Sequence, residues 1–276
     1  MPRVVRRERL VPNIHLLEVE APEIARKCRP GQFVMVMPDA RGERIPLTIA
    51  DWDRDRGTVV SVFMAVGTTT RKLALLEAGD TVPIFAGPLG LPSEIGSVGT
   101  VLCAGGCFGI AAIHPLARAF KAAGNRVIVL VDVKAHYLLY WRDKLESVAD
   151  ELIVSSRDGL TGDTDYVPRH VRDILGRGRI DRVVAVGCTY LMSSIAEATR
   201  PSGVKTVVSL NPIMVDGTGM CGACRVTVDG RTKFACVDGP DFDGHLVDWV
   251  ELYARRRSYF DDEIRSLCAW EEERFP

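Results

Sequence analysis

The first third of the chain alternates apolar and polar positions in short runs. Ile14–Val19, Gln32–Met37, Ile45–Ala50, Thr58–Ala65 and Thr81–Phe85 each fit a half-buried strand and are parted by Gly, Pro and Asp turns. Strands of this length and spacing predict a small antiparallel β-barrel over residues 1–97. The segment Gly87-Pro88-Leu89-Gly90-Leu91-Pro92 then breaks the pattern. From residue 98 the period changes. Thr100–Cys103, Val127–Val131, Glu151–Val154, Arg182–Val186 and Thr206–Ser209 are short, continuously apolar runs, and helical stretches such as Ala111–Ala123 and Tyr190–Ala198 lie between several of them. That alternation predicts a doubly wound, nucleotide-binding α/β unit over residues 98–209. Residues 210–276 make a third unit. In it Arg225–Cys236 alternates about Asp229-Gly230, a hairpin signal, and Val247–Phe260 predicts a helix before a charged end.

Candidate chemistry enters in the third unit. Asp216-Gly217-Thr218-Gly219-Met220-Cys221-Gly222-Ala223-Cys224 is followed twelve residues later by Cys236. Four anionic ligands at C-x4-C-x2-C plus a distant Cys hold a plant-type [2Fe–2S] cluster, and here Asp216 stands where the first Cys would be. Gly217, Gly219 and Gly222 let the backbone wrap closely and turn N–H groups inward. By spacing alone the pair is also compatible with half a zinc site or a thioredoxin-like redox pair. A zinc knuckle wants a second close pair, which Cys236 lacks, and a thioredoxin pair wants a helix where this chain has a hairpin.

Two further patterns bear on cofactors. Arg44 to Ala50 lies on a strand, and Val66-Gly67-Thr68-Thr69-Thr70 opens the predicted helix Arg71–Glu77. A flavin needs a hydroxyl or backbone group near its ring and small residues at a helix start for its pyrophosphate, so Thr48, Arg44 and Gly67 to Thr70 are candidates. Each is also an ordinary strand threonine or N-cap. Gly105-Gly106-Cys107-Phe108-Gly109 follows the strand at Thr100, and such a turn admits a dinucleotide pyrophosphate or simply packs a helix tightly on a strand.

Composition narrows the class without naming it. The chain has 276 residues, 47% hydrophobic and 26% charged, with a net charge of −1. Those proportions are ordinary for globular proteins, and the charge offers no electrostatic case for nucleic acid or an anionic membrane. No apolar run is long enough for membrane insertion and no signal-peptide core is present, so a cytoplasmic location is expected. Cys28, Cys103, Cys188 and Cys268 are widely spaced and are expected to pack as small hydrophobes, while Cys107 reads as a packed thiol or as a redox-active one in the cleft.

The order of barrel, nucleotide unit and cluster segment resembles the ferredoxin–NADP reductase superfamily. More narrowly, the chain resembles the electron-transfer subunits of dihydroorotate dehydrogenase. It also resembles the small (alpha) subunits of NADH-dependent ferredoxin:NADP oxidoreductases, also called sulfide dehydrogenase beta subunits. Arg44 to Asp51, Val66 to Thr69, Gly87 to Gly90 and Val207 to Leu252 carry this resemblance. It implies FAD held by Arg44, Pro46, Leu47, Thr48, Ile49, Ala65, Gly67, Thr68, Thr69 and Thr70. It implies NAD(H) at Gly105, Gly106 and Gly109, and a [2Fe–2S] cluster on Asp216, Cys221, Cys224 and Cys236, with no side chain in a catalytic role. It further implies a cytoplasmic heterodimer with a larger flavoprotein and iron–sulfur subunit similar to glutamate synthase small subunits, which would hold a bifurcating flavin and exchange electrons with ferredoxin and NAD(P). The chain departs from the family at Cys107 (for Gly), Ala112 (for Pro), Val131 to Lys134 (for Gly-Ala-Arg) and Cys188 (for Pro), and Arg44 stands one residue early. These departures leave a second reading, an electron-transfer subunit of another dehydrogenase, hydrogenase or sulfur reductase without a working nicotinamide site. A third is a non-catalytic interaction subunit whose cysteine motif holds a fold together.

Overall fold

A computed structural model describes residues 1–40, 42–158 and 167–274. Strands β1 (Arg3–Val11), β2 (Ile14–Glu20), β3 (Phe33–Met37), β4 (Ile45–Asp53), β5 (Thr58–Met64) and β6 (Ile84–Leu89) form an antiparallel sheet in the order β1-β2-β5-β4-β3-β6. Helices α1 (Pro22–Lys27) and α2 (Thr68–Leu73) fill its connections. The sheet curls until its ends meet: the Val82 N–H donates to the Pro2 carbonyl at 3.0 Å and the Val4 N–H to the Asp80 carbonyl at 2.8 Å. Leu17, Val34, Val36, Ile49, Val59 and Leu73 fill the interior with no more than 7% exposure anywhere in the cluster except Ala21 at 8%.

Two of these elements depart from the hydropathy pattern. Hydropathy does not mark β1, because Arg3, Arg6, Arg7, Glu8 and Arg9 mask its alternation; it exists because its backbone pairs with β2 from Arg3↔Glu20 to Val11↔Ile14. The expected break at Gly87-Pro88 lies inside β6, which ends the pairing order beside β3. An edge strand tolerates a residue without an N–H on its free side.

The second sheet contains β7 (Thr100–Gly106), β8 (Arg126–Val133), β9 (Glu151–Ser156), β10 (Arg182–Val186) and β11 (Lys205–Ser209), all parallel, in the order β11-β10-β7-β8-β9. Its order reverses between β7 and β10. Helices α3 (Gly109–Ala122), α4 (Arg142–Glu146), α5 (Val167–Arg177) and α6 (Thr189–Thr199) cover the faces. The hairpin β12 (Arg225–Val228) and β13 (Arg231–Phe234) turns at Asp229 (φ 51°) and Gly230 (φ 67°) as the pattern predicts, since a two-residue turn with both φ positive suits the strand twist. β14 (Asp241–Asp243) then adds antiparallel to β11. The single predicted C-terminal helix is two, α7 (Trp249–Arg256) and α8 (Phe260–Arg274). Among the described residues no helix is long and apolar enough to cross a membrane.

One apolar cluster joins the two sheets. Ile14, Leu16, Ala50, Val60 and Val62 on the barrel's outer face pack with Ile110, Ile113 and Phe120 of α3. His114 of α3 sits in this interface at 4% exposure, edge-on to Trp141, and burial pushes its imidazole down to about 4. A histidine neutral in the fold but protonated when unfolded withdraws stability as pH falls from 6.5 towards 4. Urea unfolding is expected to show about 1.5 kcal/mol lost from this group between about pH 6.5 and pH 5. His114→Leu should remove that part of the slope; an unchanged slope would place the pH dependence elsewhere.

Candidate redox site

The loop after β11 brings the four predicted cluster ligands together as two pairs. The Cys224 and Cys236 sulfurs lie 3.2 Å apart as free thiols, each residue 2% exposed. Asp216 and Cys221 face outward, joined by a hydrogen bond from the Cys221 N–H to Asp216 Oδ2 at 2.8 Å. The Thr218 N–H donates to Asp216 Oδ1, and these backbone donors hold the carboxyl below its usual range. Burial and the Cys224 thiol push Cys236 up to about 12, so loading a metal must displace a tightly held proton there.

The loop is shaped by its glycines. Gly217 has φ 80°, and a Cβ there would stand 2.6 Å from Met35 Cγ and 2.9 Å from Leu89 Cδ1. The loop is therefore wedged against the barrel. Among the described residues no three His, Cys, Asp or Glu side chains converge on a point that would hold one metal ion. A two-iron cluster asks for no such triad, because each iron takes two protein ligands and the bridging sulfides complete its shell. Two buried sulfurs in contact, a third sulfur and a carboxylate linked nearby, and a close-wrapped loop fit that group.

The same packing ties the loop to the β4 strand. Phe33, Met35, Met214, Cys224, Ala235 and Cys236 form one buried cluster. Phe33 pairs with Thr48 across β3 and β4, and Met35 pairs with Pro46. One strand spacing, about 5 Å, separates those backbones.

On β4 the predicted flavin residues divide by face. Leu47 (7%) and Ile49 (0%) point into the barrel core, which leaves only their backbone for a ligand, while Pro46 and Thr48 are half-exposed on the other face. Arg44 is exposed just ahead of the strand. Ala65 is buried, its N–H donating to the Asn13 carbonyl. α2 begins at Thr68, three residues earlier than expected, because the Thr70 hydroxyl accepts from the Val66 and Gly67 N–H groups at 3.0 Å. Thr69 is buried, its hydroxyl 3.5 Å from the Glu43 carbonyl. A Cβ at Gly67 would meet nothing within 4 Å, so open space lies beside this turn as a flavin pyrophosphate requires.

Sequence reasoning missed what else borders that turn. α8 lies against α2: the Thr68 hydroxyl shares a hydrogen bond with Ser266 at 3.0 Å, and Arg71 pairs with Glu271. Arg256 at the end of α7 donates to the Thr189 hydroxyl at the start of α6. Nothing in the local pattern of the C-terminal segment marks these contacts, because charged helix positions read alike whether or not a partner element lies beside them.

The glycine turn after β7 is accounted for largely by packing. A Cβ at Gly109 would stand 2.0 Å from the Val186 carbonyl oxygen, and one at Gly105 would stand 2.8 Å from the Gly109 oxygen. Gly106 has more room, its nearest neighbour being the Asp132 oxygen at 3.3 Å. The packed reading is corrected for three cysteines. Cys28 and Cys103 are buried as expected, but Cys107 is exposed at φ 52°, Cys268 is exposed on α8, and half-exposed Cys188 caps α6 by accepting from the Leu191 N–H. Each stands at a turn, a helix end or an open helix face where the core does not reach.

Comparison with known proteins agrees with this arrangement. Residues 211–248 match the iron-sulfur cluster binding domain of dihydroorotate dehydrogenase B. The dihydroorotate dehydrogenase B (NAD(+)) electron transfer subunit homolog of Thermotoga maritima is 42% identical over 94% of this chain and 92% of its own length. An uncharacterised protein of Clostridium beijerinckii is 40% identical over 99% and 95%. A chain of the NADH-dependent reduced ferredoxin-NADP oxidoreductase, solved in a study of flavin-based electron bifurcation, superposes with a TM-score of 0.91 at 41% identity, covering 98% of both chains.

Proposed function

Because the chain belongs to the family of dihydroorotate dehydrogenase B electron transfer subunits and their homologues, we propose that it carries electrons between NAD(H), FAD and a [2Fe–2S] cluster and on to a larger flavoprotein partner, as a subunit of the ferredoxin:NAD(P) oxidoreductase type. In this reading residues 1–97 bind FAD, 98–209 bind the nucleotide, and 210–276 hold the cluster and reach the partner in the cytoplasm. FAD supplies a centre that takes two electrons and yields them singly, and the cluster supplies a one-electron carrier. Cys224 and Cys236 inside the apolar cluster, with Asp216 and Cys221 at the surface, would hold the [2Fe–2S] cluster. Thr48 and the β4 backbone orient the flavin ring, Arg44 neutralises phosphate, and the Gly67 turn leaves room for the pyrophosphate. Gly106 lets a nucleotide approach the backbone. Around Cys221, Val215 (50% exposed), Met220 (89%) and Val237 (40%) form an apolar rim suited to excluding water where a partner docks.

One observation carries the reading: the buried ligand pair shares its packing cluster with Phe33 and Met35, the strand partners of Thr48 and Pro46. Flavin and cluster would thus face a common strand pair. The purified protein is expected to be coloured, with flavin and iron–sulfur absorbance and about two irons per chain. On rapid mixing NADH should bleach the flavin before the cluster. A colourless protein containing zinc would overturn the reading. A specific observation favours a second one: Gly105 and Gly109 are already required by packing, so they do not by themselves call for a nucleotide. A coloured protein reduced by neither NADH nor NADPH would establish an electron-transfer subunit fed from its partner instead.

A further inference from the structure

Cys107 and Cys188 follow the two strands that flank the point where the strand order of the parallel sheet reverses. β7 and β10 are neighbours there, and their register runs to Gly105↔Val186. Continued two residues past the strand ends, the same register would set Cys107 opposite Cys188. The chains remain in contact past the strand ends, since a Cβ at Gly187 would lie 3.2 Å from the Gly106 oxygen and 3.4 Å from its nitrogen. Parallel neighbours are spaced about 5 Å apart, inside the Cα separation that a disulfide spans.

Both backbones are held in place. Buried Tyr140 donates its hydroxyl to the Cys107 carbonyl at 2.8 Å, and Cys107 itself occupies the left-handed region at φ 52°. Cys188 is fixed as the N-cap of α6. Burial, and after it Cys188 and Asp132, raises the Cys107 thiol. Neither is sealed in the core: Cys107 is exposed and Cys188 half-exposed. Two accessible cysteines on neighbouring anchored turns are unlike the inert buried thiols Cys28 and Cys103.

We propose that Cys107 and Cys188 are a redox-active dithiol that closes to a disulfide across the mouth of the nucleotide cleft. The oxidant is a low-molecular-weight disulfide. A thiolate of one cysteine attacks it, forming a mixed disulfide and releasing one small thiol. The second protein thiolate attacks the mixed disulfide at the protein sulfur, the S–S bond between Cys107 and Cys188 forms, and the second small thiol leaves. The protein loses two electrons and two protons, and the small disulfide gains them. Ligands of doubly wound sheets bind outside the carboxyl ends of the strands at this switch point, so the bridge bars a dinucleotide from the Gly106 backbone. This consequence rests on assigning the cleft to NAD(H), whereas formation of the bridge does not.

The test uses the purified holoprotein with oxidised glutathione as the probe, held anaerobic. Two thiols per chain are expected to disappear and to return with dithiothreitol. Non-reducing peptide mapping should then show the Cys107 peptide joined to the Cys188 peptide. Cys107→Ser and Cys188→Ser should each abolish that link, while Cys103→Ser, on the same tryptic peptide, should retain it. Separate glutathione adducts on the two residues without a cross-link would overturn the proposal. In the second arm, the oxidised protein should bind NADH at least tenfold more weakly than the reduced protein, and Cys107→Ser should show no dependence on glutathione. A cross-link with unchanged NADH affinity would overturn the blocking role. A cross-link in a protein that binds no NADH in either state would uphold the dithiol and overturn the nucleotide assignment.

Discussion

Cys224→Ala is expected to yield a folded protein that keeps its flavin and loses its cluster, with iron and inorganic sulfide near zero and the iron–sulfur absorbance gone. The Cys224 sulfur is one of two in contact at 3.2 Å inside an apolar cluster, and each residue is 2% exposed. Water has no route to replace the missing ligand, and one iron would keep a single protein donor. Removing an outer hydrogen-bond partner of a metal ligand already costs about 10–100-fold in affinity, and removing the ligand costs more. Asp216→Cys should behave differently. Asp216 is half-exposed and held by backbone N–H groups rather than by packing, so the cluster should assemble with a shifted reduction potential, because a thiolate donates more covalently than a carboxylate. Iron content decides the first variant and redox titration the second. Full iron in Cys224→Ala, or an unchanged potential in Asp216→Cys, would remove the residue from the ligand set.

Gly109→Ala is expected to destabilise the parallel-sheet unit by about 3 kcal/mol or more. The three atoms that its Cβ would meet are all backbone: Val186 O at 2.0 Å, Val186 C at 2.6 Å and Gly187 Cα at 2.9 Å. No rotamer relieves such a clash. α3 would have to lift from β10, and α3 carries Ile110, Ile113, Leu116 and Phe120, each no more than 1% exposed. Gly67→Ala is the matched control, because its Cβ would enter open space at a φ of −134°; folding stability should stay within about 0.5 kcal/mol. Urea unfolding of the two variants separates a packing glycine from a space-making one. Equal stability would mean that the turn after β7 can relax and that its glycines serve a ligand instead.

The contrast between these glycines shows what the chain discloses locally. Gly67 and Gly109 look alike in sequence, each at the start of a helix after a strand. Only the position of β10 makes one obligatory and leaves the other free. β1 makes the same point for a strand: its arginines conceal a period-two pattern, and pairing with β2 supplies what the side chains do not announce. The cysteine motif was legible because its chemistry is local, with three ligands within nine residues and glycines at each sharp turn.

Spacing and period, which act over a few residues, were enough for the sequence by itself to determine the antiparallel sheet followed by a parallel α/β sheet, the hairpin at Asp229-Gly230 and the identity of the candidate cluster ligands. The tertiary structure alone decided which candidate ligands are buried, that the cluster loop wedges against Met35 and Leu89, that α8 lies against α2, and that β7 and β10 run side by side up to Gly105 and Val186. Each of those is a contact between segments tens to hundreds of residues apart. Such contacts are set by how whole sheets and helices stack to bury their apolar faces, and no local pattern encodes that stacking.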